Sequence, residues 1–343
     1  ELGFRFNRFL HRPKQHTTAR MVDVEATSMF TTLFGQALAD AGVDVRLDTR
    51  AGRLLTNGGR VAGVVTEAGD IGARKAVVLA AGGYQANPEL RARYQPVSMA
   101  SAPYLGTEHD RGDGHLMGQA VGGDLINMTM IPPLIMVASA LVEESIAVNI
   151  DGLRFHDEAG PYDDRVAALG MQPEKAAWYV FDDSVARRKG QLVDEMPFDA
   201  VTAPTLDALA ESIGCDPDGL VTAVREWNQT VTSNTERDPV FGRVIFPDPR
   251  VGIVESPFYA SPMVVGINFP AGGVRVTIDT QVINVFGEPI GGLFAVGDCV
   301  GGISPTIGLG GMKISAALTL GRIAGRVIAT DSATGGGENG IAG

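Results

Sequence analysis

The chain has 343 residues, enough for two domains and a large buried core, and 45% of them are hydrophobic, an ordinary globular proportion. Lysine and arginine total 28 against 40 acidic residues, and the net charge of −12 argues against a nucleic-acid partner or an anionic membrane surface. Only Cys215 and Cys299 are present, so no disulfide framework is implied, and no signal-peptide pattern or apolar span stands out; a cytoplasmic location is expected.

Glu1 to Arg20 is basic and polar without a clear period, and reads as a surface loop. Met29 to Ala41 is an amphipathic helix, with Phe30, Leu33, Phe34 and Leu38 at helical spacing and Gly42 closing it. Val43 to Leu47 alternates as a strand, and Asn57-Gly58-Gly59 is a hairpin signal between Arg53-Leu54-Leu55 and Val61–Val65. A buried-type strand, Ala76 to Ala81, ends in Ala81-Gly82-Gly83. Arg111-Gly112-Asp113-Gly114 opens a helix that Asp113 is expected to cap. From about Ala138 to Ser261 the character changes, with Ser145–Ile150, an Asp151-Gly152 turn, and helices over Leu206–Ser212 and Gly219–Thr230. Val274–Ile278 reads as a strand, and Gly335 to Gly340 as a flexible tail.

The stretch from Gly291 to Ser315 carries the most chemistry. An apolar strand, Leu293 to Val296, runs into Gly297-Asp298; a glycine-rich loop follows, and Leu309-Gly310-Gly311 opens an apolar helix from Met312 to Ala329. This order suits a bound dinucleotide. The acid can accept hydrogen bonds from a ribose or ribityl hydroxyl, glycines let backbone approach closely, and a helix start aims N–H groups at negative charge. An ordinary strand-to-helix turn in an α/β sheet would read the same way.

Together, "AVVLAAGGY" and "GLFAVGDCVGGI…GLGGMKIS" resemble the flavoprotein family that includes fumarate reductase, succinate dehydrogenase and the 3-ketosteroid dehydrogenases. The resemblance runs from near Arg20 to near Ala329 and is specific for FAD, though not for a substrate. It implies an α/β fold: a Rossmann-like FAD-binding domain, without its N-terminal part, carrying an inserted α+β capping domain. The implied boundaries are 1–137 and 262–330 for the two parts of the flavin domain, 138–261 for the lid, and 331–343 for the tail. The family's opening G-x-G-x-x-G unit is not found, and a missing N-terminal FAD-binding segment is expected to leave the Ala76–Ala81 strand short of cover. The implied flavin-facing residues are Ala51 (against the adenine), Ala81, Gly82, Gly83, Asp113, Gly297, Asp298, Gly310, Gly311, Ile314 and Ser315.

Family enzymes exchange a hydride at one carbon and a proton at its neighbour, next to a carbonyl or carboxylate. In Arg154-Phe-His-Asp-Glu-Ala-Gly-Pro-Tyr162, Tyr162 falls where fumarate reductases carry a proton-donating arginine and resembles the base of the ketosteroid dehydrogenases. Arg165 is the candidate cation that lowers its pKa, and the Gly311 N–H is a candidate to polarise the substrate carbonyl. The dicarboxylate-binding arginine and histidines of fumarate reductases fall on Gly308, on Asn268 or Phe269, and in Met128–Ile135, which holds no histidine; fumarate and succinate are therefore not expected. The ketone-polarising tyrosine of the ketosteroid enzymes falls on Ile307. With Phe269, Pro270 and Ile135, this implies an apolar pocket and a small apolar carbonyl substrate, reoxidised by an unidentified electron acceptor. The alternatives are a fumarate-reductase-like enzyme for another unsaturated acid and a truncated, non-catalytic fragment. No histidine spacing suggests zinc, and no Gly-x-Ser-x-Gly elbow suggests a hydrolase.

Overall fold

The structure is a computed structural model that describes all residues except 1, 12–17, 105, 131–132, 138, 195, 197, 268–270, 304–310 and 335–343. It is a mixed α/β fold that divides into two compact units. The first comprises Glu1–Ser101, Gly106–Pro132 and Phe269–Gly343, and the second Ala102–Leu105 and Pro133–Asn268.

A parallel strand pair organises the first unit. Val77–Leu79 runs alongside Pro289–Ala295, in the register Leu293 to Val77 and Ala295 to Leu79, and Gln281–Ile283 pairs antiparallel on the far side. Leu79, Leu293 and Ala295 are buried with Val61, Met117, Val274, Val282 and Cys299. The helix Asp113–Ala120 contributes Met117 to this core and comes closest to it at two glycines. A Cβ on Gly114 would lie 2.6 Å from Cys299 Sγ, and one on Gly118 2.7 Å from Val274 Cγ1, so larger residues would force the helix away. The Asn57-Gly58-Gly59 signal does join two strands, Ala51–Asn57 and Arg60–Thr66, in an antiparallel three-stranded sheet with Gly69–Gly72.

The predicted first helix spans Ser28–Asp40. Its end is a Schellman motif: Gly42 adopts φ +67°, its N–H donates to Ala39 O, and the Val43 N–H donates to Leu38 O at 2.9 Å. Three local expectations fail. The amino-terminal stretch is not all loop, because Phe6–His11 pairs antiparallel with Met21–Val24. That pairing shifts register twice, so no regular alternation marks it in the sequence. Val43–Leu47 alternates but forms no strand; it finds no sheet partner, and Leu47 is 80% exposed. The Val274–Ile278 strand shrinks to Gly273–Val274, paired with Leu125–Ile126, plus a single bridge from Val276 to Val282.

In the second unit, an antiparallel sheet has the order Val201–Ala203, Phe258–Pro262, Ala177–Asp182, Ile146–Asn149. The helices Leu206–Ile213 and Pro217–Thr232 bury Leu209, Leu220, Val224 and Trp227 in a shared core with Ile146, Val148 and Val180. Both start as their residues dictate: Thr205 accepts from the Ala208 N–H, and Asp216 from the Gly219 N–H at 2.7 Å. Among the described residues, no helix is long and apolar enough to cross a membrane.

Candidate cofactor and catalytic residues

At the carboxyl ends of the parallel pair the chain makes two turns that are tied together. After Leu79 come Ala81, Gly82 and Gly83; after Ala295 comes Gly297, at φ +61°, then Asp298 and Cys299. Cys299 Sγ accepts from the Ala81 N–H at 3.2 Å and donates to Gly82 O at 3.4 Å. Burial pushes this thiol up to about 12, so it remains an S–H able to donate. Gly82, at φ +73°, lies so close to Asp110 that a Cβ would sit 2.3 Å from Oδ1, an oxygen that also accepts from the Gly83 N–H at 3.1 Å. Gly82 is thus required by the chain's own packing.

Asp298 is brought to the start of the final helix, Met312–Thr334. Lys313 Nζ lies 3.3 Å from Asp298 Oδ1, and Ala317 is close to the Cα of Gly297. Burial raises the Asp298 pKa while Lys313 works against that rise. Gly311 enters the helix at φ +74°, and its carbonyl receives the Ser315 N–H at 3.0 Å. Beside Gly311, Ile314 and Ser315 runs a groove of about 560 Å³, walled opposite by Phe4, Met21, Val24 and Phe30. Gly310 lies outside the described residues.

Asp113 does not cap its helix. Gly112 is the cap residue, in the left-handed region at φ 77°, and Asp113 is the first helical residue. Its carboxylate instead takes both arms of Arg50, Nη2 at 2.7 Å and Nε at 3.0 Å, which ties it to the strand that begins at Ala51. Nothing in the local sequence names a partner 63 residues away.

In the second unit, Tyr162 opens the helix Tyr162–Gly170, and its side chain lies outside what the structure describes. Arg165, one turn on, is buried, with Nε donating to Gly160 O at 3.1 Å. Its charge bears on Tyr179, whose phenol is pushed up by burial and drawn back by the guanidinium. Ile135 is not a pocket wall: it is fully buried among Val142, Ala147, Leu169 and Tyr179. Asn268, Phe269, Pro270, Ile307 and Gly308 lie outside the described residues.

Among the described residues, the most extensive polar constellation is one that no local motif marks. Fully buried Glu158 accepts from Arg154 Nε at 2.8 Å, Arg154 Nη2 at 2.9 Å, Arg243 Nη1 at 3.0 Å and the Ala147 N–H at 3.2 Å. Arg154 also pairs with Asp238 at 2.8 Å, and Arg243 lies over the Trp227 ring at 4.3 Å. Burial alone would raise the Glu158 pKa, but the two guanidinia hold it well below the carboxylate range. The segments "RFHDE" and "ERDPVFGR" supply all four charges, yet only the fold reveals which meet.

Two buried histidines set a pH dependence. His115, against Tyr84, and His156, against Phe155, are both pushed down to about 4 by burial. A histidine whose folded pKa lies below its unfolded value contributes stability that is full above about pH 6.5 and lost as pH falls towards 4. Each is expected to contribute on the order of 3 kcal/mol across that window. The urea midpoint should fall steeply between pH 7 and 4.5, and His156→Gln should flatten that fall; an unchanged slope would count against the assignment.

A family model described as FAD binding domain matches residues 4–314. The chain belongs to the FAD binding domain family. FAD is the cofactor this membership brings, and the relatives similar to this chain are named for more than one reaction. The chain is 32% identical over 309 residues to the probable fumarate reductase Ifc3 of Shewanella frigidimarina, covering 84% of this chain and 51% of that protein. It is 29% identical over 349 residues to the 3-oxosteroid 1-dehydrogenase of Mycolicibacterium smegmatis, covering 86% of this chain and 61% of that one. A solved flavocytochrome c3 fumarate reductase in its open conformation superposes with a TM-score of 0.74 at 29% identity, over 96% of this chain and 60% of its own. The chain therefore spans about half the length of the Shewanella relative.

Proposed function

We propose that the protein is an FAD-dependent oxidoreductase that dehydrogenates or reduces a C–C bond next to a carbonyl, in an apolar, ketosteroid-like substrate. The observation that carries this reading is the family match over residues 4–314, beside similarity to relatives named for fumarate reduction and for 3-oxosteroid dehydrogenation. In this reading the first unit is a Rossmann-like flavin domain and the second a capping domain. The flavin, when bound, supplies the hydride chemistry.

The residues at the carboxyl ends of the parallel pair fit that cofactor. Asp298 presents a partly buried carboxylate suited to a sugar or ribityl hydroxyl, with Lys313 opposing the rise in pKa that burial causes. Gly311, Ile314 and Ser315 line one wall of an apolar-sided groove at a helix start, the positive end of the helix dipole. Replacing Asp298 with Ala removes a charge-assisted hydrogen bond and is expected to weaken FAD binding by roughly 10- to 100-fold. Fluorescence titration with FAD checks this, and equal affinities would move the sugar contact elsewhere. Tyr162 is the proton carrier in this reading, chosen over reduction of an unsaturated acid because a tyrosine stands where the fumarate reductases carry arginine. Assay of apolar 3-ketones with an artificial electron acceptor, against fumarate and acrylate with a reduced donor, separates the two: turnover of the acids alone would select the second.

A further inference from the structure

At the amino ends of the same strands lies a second cavity, of about 240 Å³, lined by Arg60, Arg74, Lys75, Ala76, Gln281, Gly292, Phe294 and Ile328. Ala76 precedes the Val77–Leu79 strand and Gly292 lies ahead of Leu293, whereas Gly82 and Gly297 follow those strands. At about 3.3 Å of rise per residue, the two sites stand roughly 15 Å apart along the sheet. The cavity is therefore not the place where Asp298 meets Lys313 of the final helix.

Every ionisable residue lining it is a cation, in a chain whose net charge is −12. Among the described residues no carboxylate forms a salt bridge with Arg60, Arg74 or Lys75. Arg60 is also held in place. Its Nη2 donates to the Lys75 carbonyl, and its side chain lies across the backbone of Gly291 and Gly292. Gly292 adopts φ +75°, and a Cβ there would sit 2.4 Å from Val61 O and 3.1 Å from Arg60 Nε, so glycine makes the space the guanidinium fills. One arm of the fork is engaged by a neutral carbonyl and Nη1 remains for a ligand. Gln281 adds an amide.

We propose that this cavity binds a phosphate-bearing small molecule, with Arg60 as the positioned fork and Arg74 and Lys75 as flexible counter-charges. A guanidinium matches the planar spacing of phosphate oxygens, and a lysine adds a point charge without demanding geometry. At about 240 Å³ the cavity has room for a pyrophosphate group as well as a single phosphate.

The test is calorimetric titration of the full chain with sodium phosphate and with sodium pyrophosphate, at matched ionic strength in chloride. Saturable binding of pyrophosphate is expected, weakened roughly tenfold or more in Arg60→Gln and in the Arg74→Ala/Lys75→Ala double variant. All three side chains are exposed, so these variants should fold, which an unchanged melting curve will show. Binding that the variants leave intact, or heat that vanishes at matched ionic strength, would overturn the proposal. FAD titration of the same variants should be unchanged. A parallel loss of FAD affinity would make the cavity part of the cofactor site and overturn the claim of a separate one.

Discussion

Replacing Tyr162 with phenylalanine should lower turnover of the FAD-loaded protein by about 10²–10⁴-fold while flavin binding and folding stay intact. The substitution removes one hydroxyl and keeps the ring, so what it reads is proton transfer. Tyr162 is the first residue of its helix, after Pro161, which fixes the backbone entry. A general base lost at this position should depress kcat and kcat/KM together, because the interaction is made in the transition state. It should also remove the limb of the pH–rate profile that rises with pH, where the base must lose its proton to act. A panel of apolar ketones with an artificial electron acceptor gives the measurement. Equal rates in both proteins would place the proton carrier elsewhere and leave the ketosteroid-like reading without its main support.

The second large effect is on stability. Glu158→Ala should destabilise the second unit by about 3–5 kcal/mol, the cost of leaving buried charge uncompensated. Arg243 is fully buried, and its Nη1 loses Glu158 while keeping only neutral carbonyls such as Ser145 O at 2.8 Å. Arg154 retains Asp238, so Arg243 should carry most of the damage. Removing both partners, in Glu158→Leu with Arg243→Met, should recover much of the loss, because no stranded charge remains. Urea unfolding of the three proteins decides it. A single variant as stable as the parent would show that water or a rearranged side chain solvates Arg243.

What the sequence made legible was whatever is encoded locally. Helical spacing of Phe30, Leu33, Phe34 and Leu38, a glycine at Gly42 and the Asn57-Gly58-Gly59 turn each specify a conformation within a few residues, and each formed. The Ala81-Gly82-Gly83 and Gly297-Asp298 turns were readable as a pair because both end apolar strands; their meeting through Cys299 was not, since a thiol bridging backbone atoms more than 200 residues away leaves no local pattern. Val43–Leu47 shows the converse failure: alternation is a property of a segment, whereas a strand is a property of a pair. Asp113 failed for a related reason. A carboxylate at a helix start can accept from the helix or from a cation, and Arg50 offers two charge-assisted bonds where a backbone N–H offers one. The Arg154–Glu158–Arg243–Asp238 network was hidden in the same way, its members drawn from segments some 80 residues apart.

In the proposed reading, this chain holds FAD beside Gly297-Asp298 and the Gly311 helix start. The visible spectrum of the protein isolated from its own host, recorded beside an Asp298→Ala variant expressed and purified in parallel, tests it most directly. A yellow protein with the blue absorption of bound flavin is expected, and a variant that loses the colour on gel filtration. A colourless parent that stays colourless after incubation with FAD would contradict it.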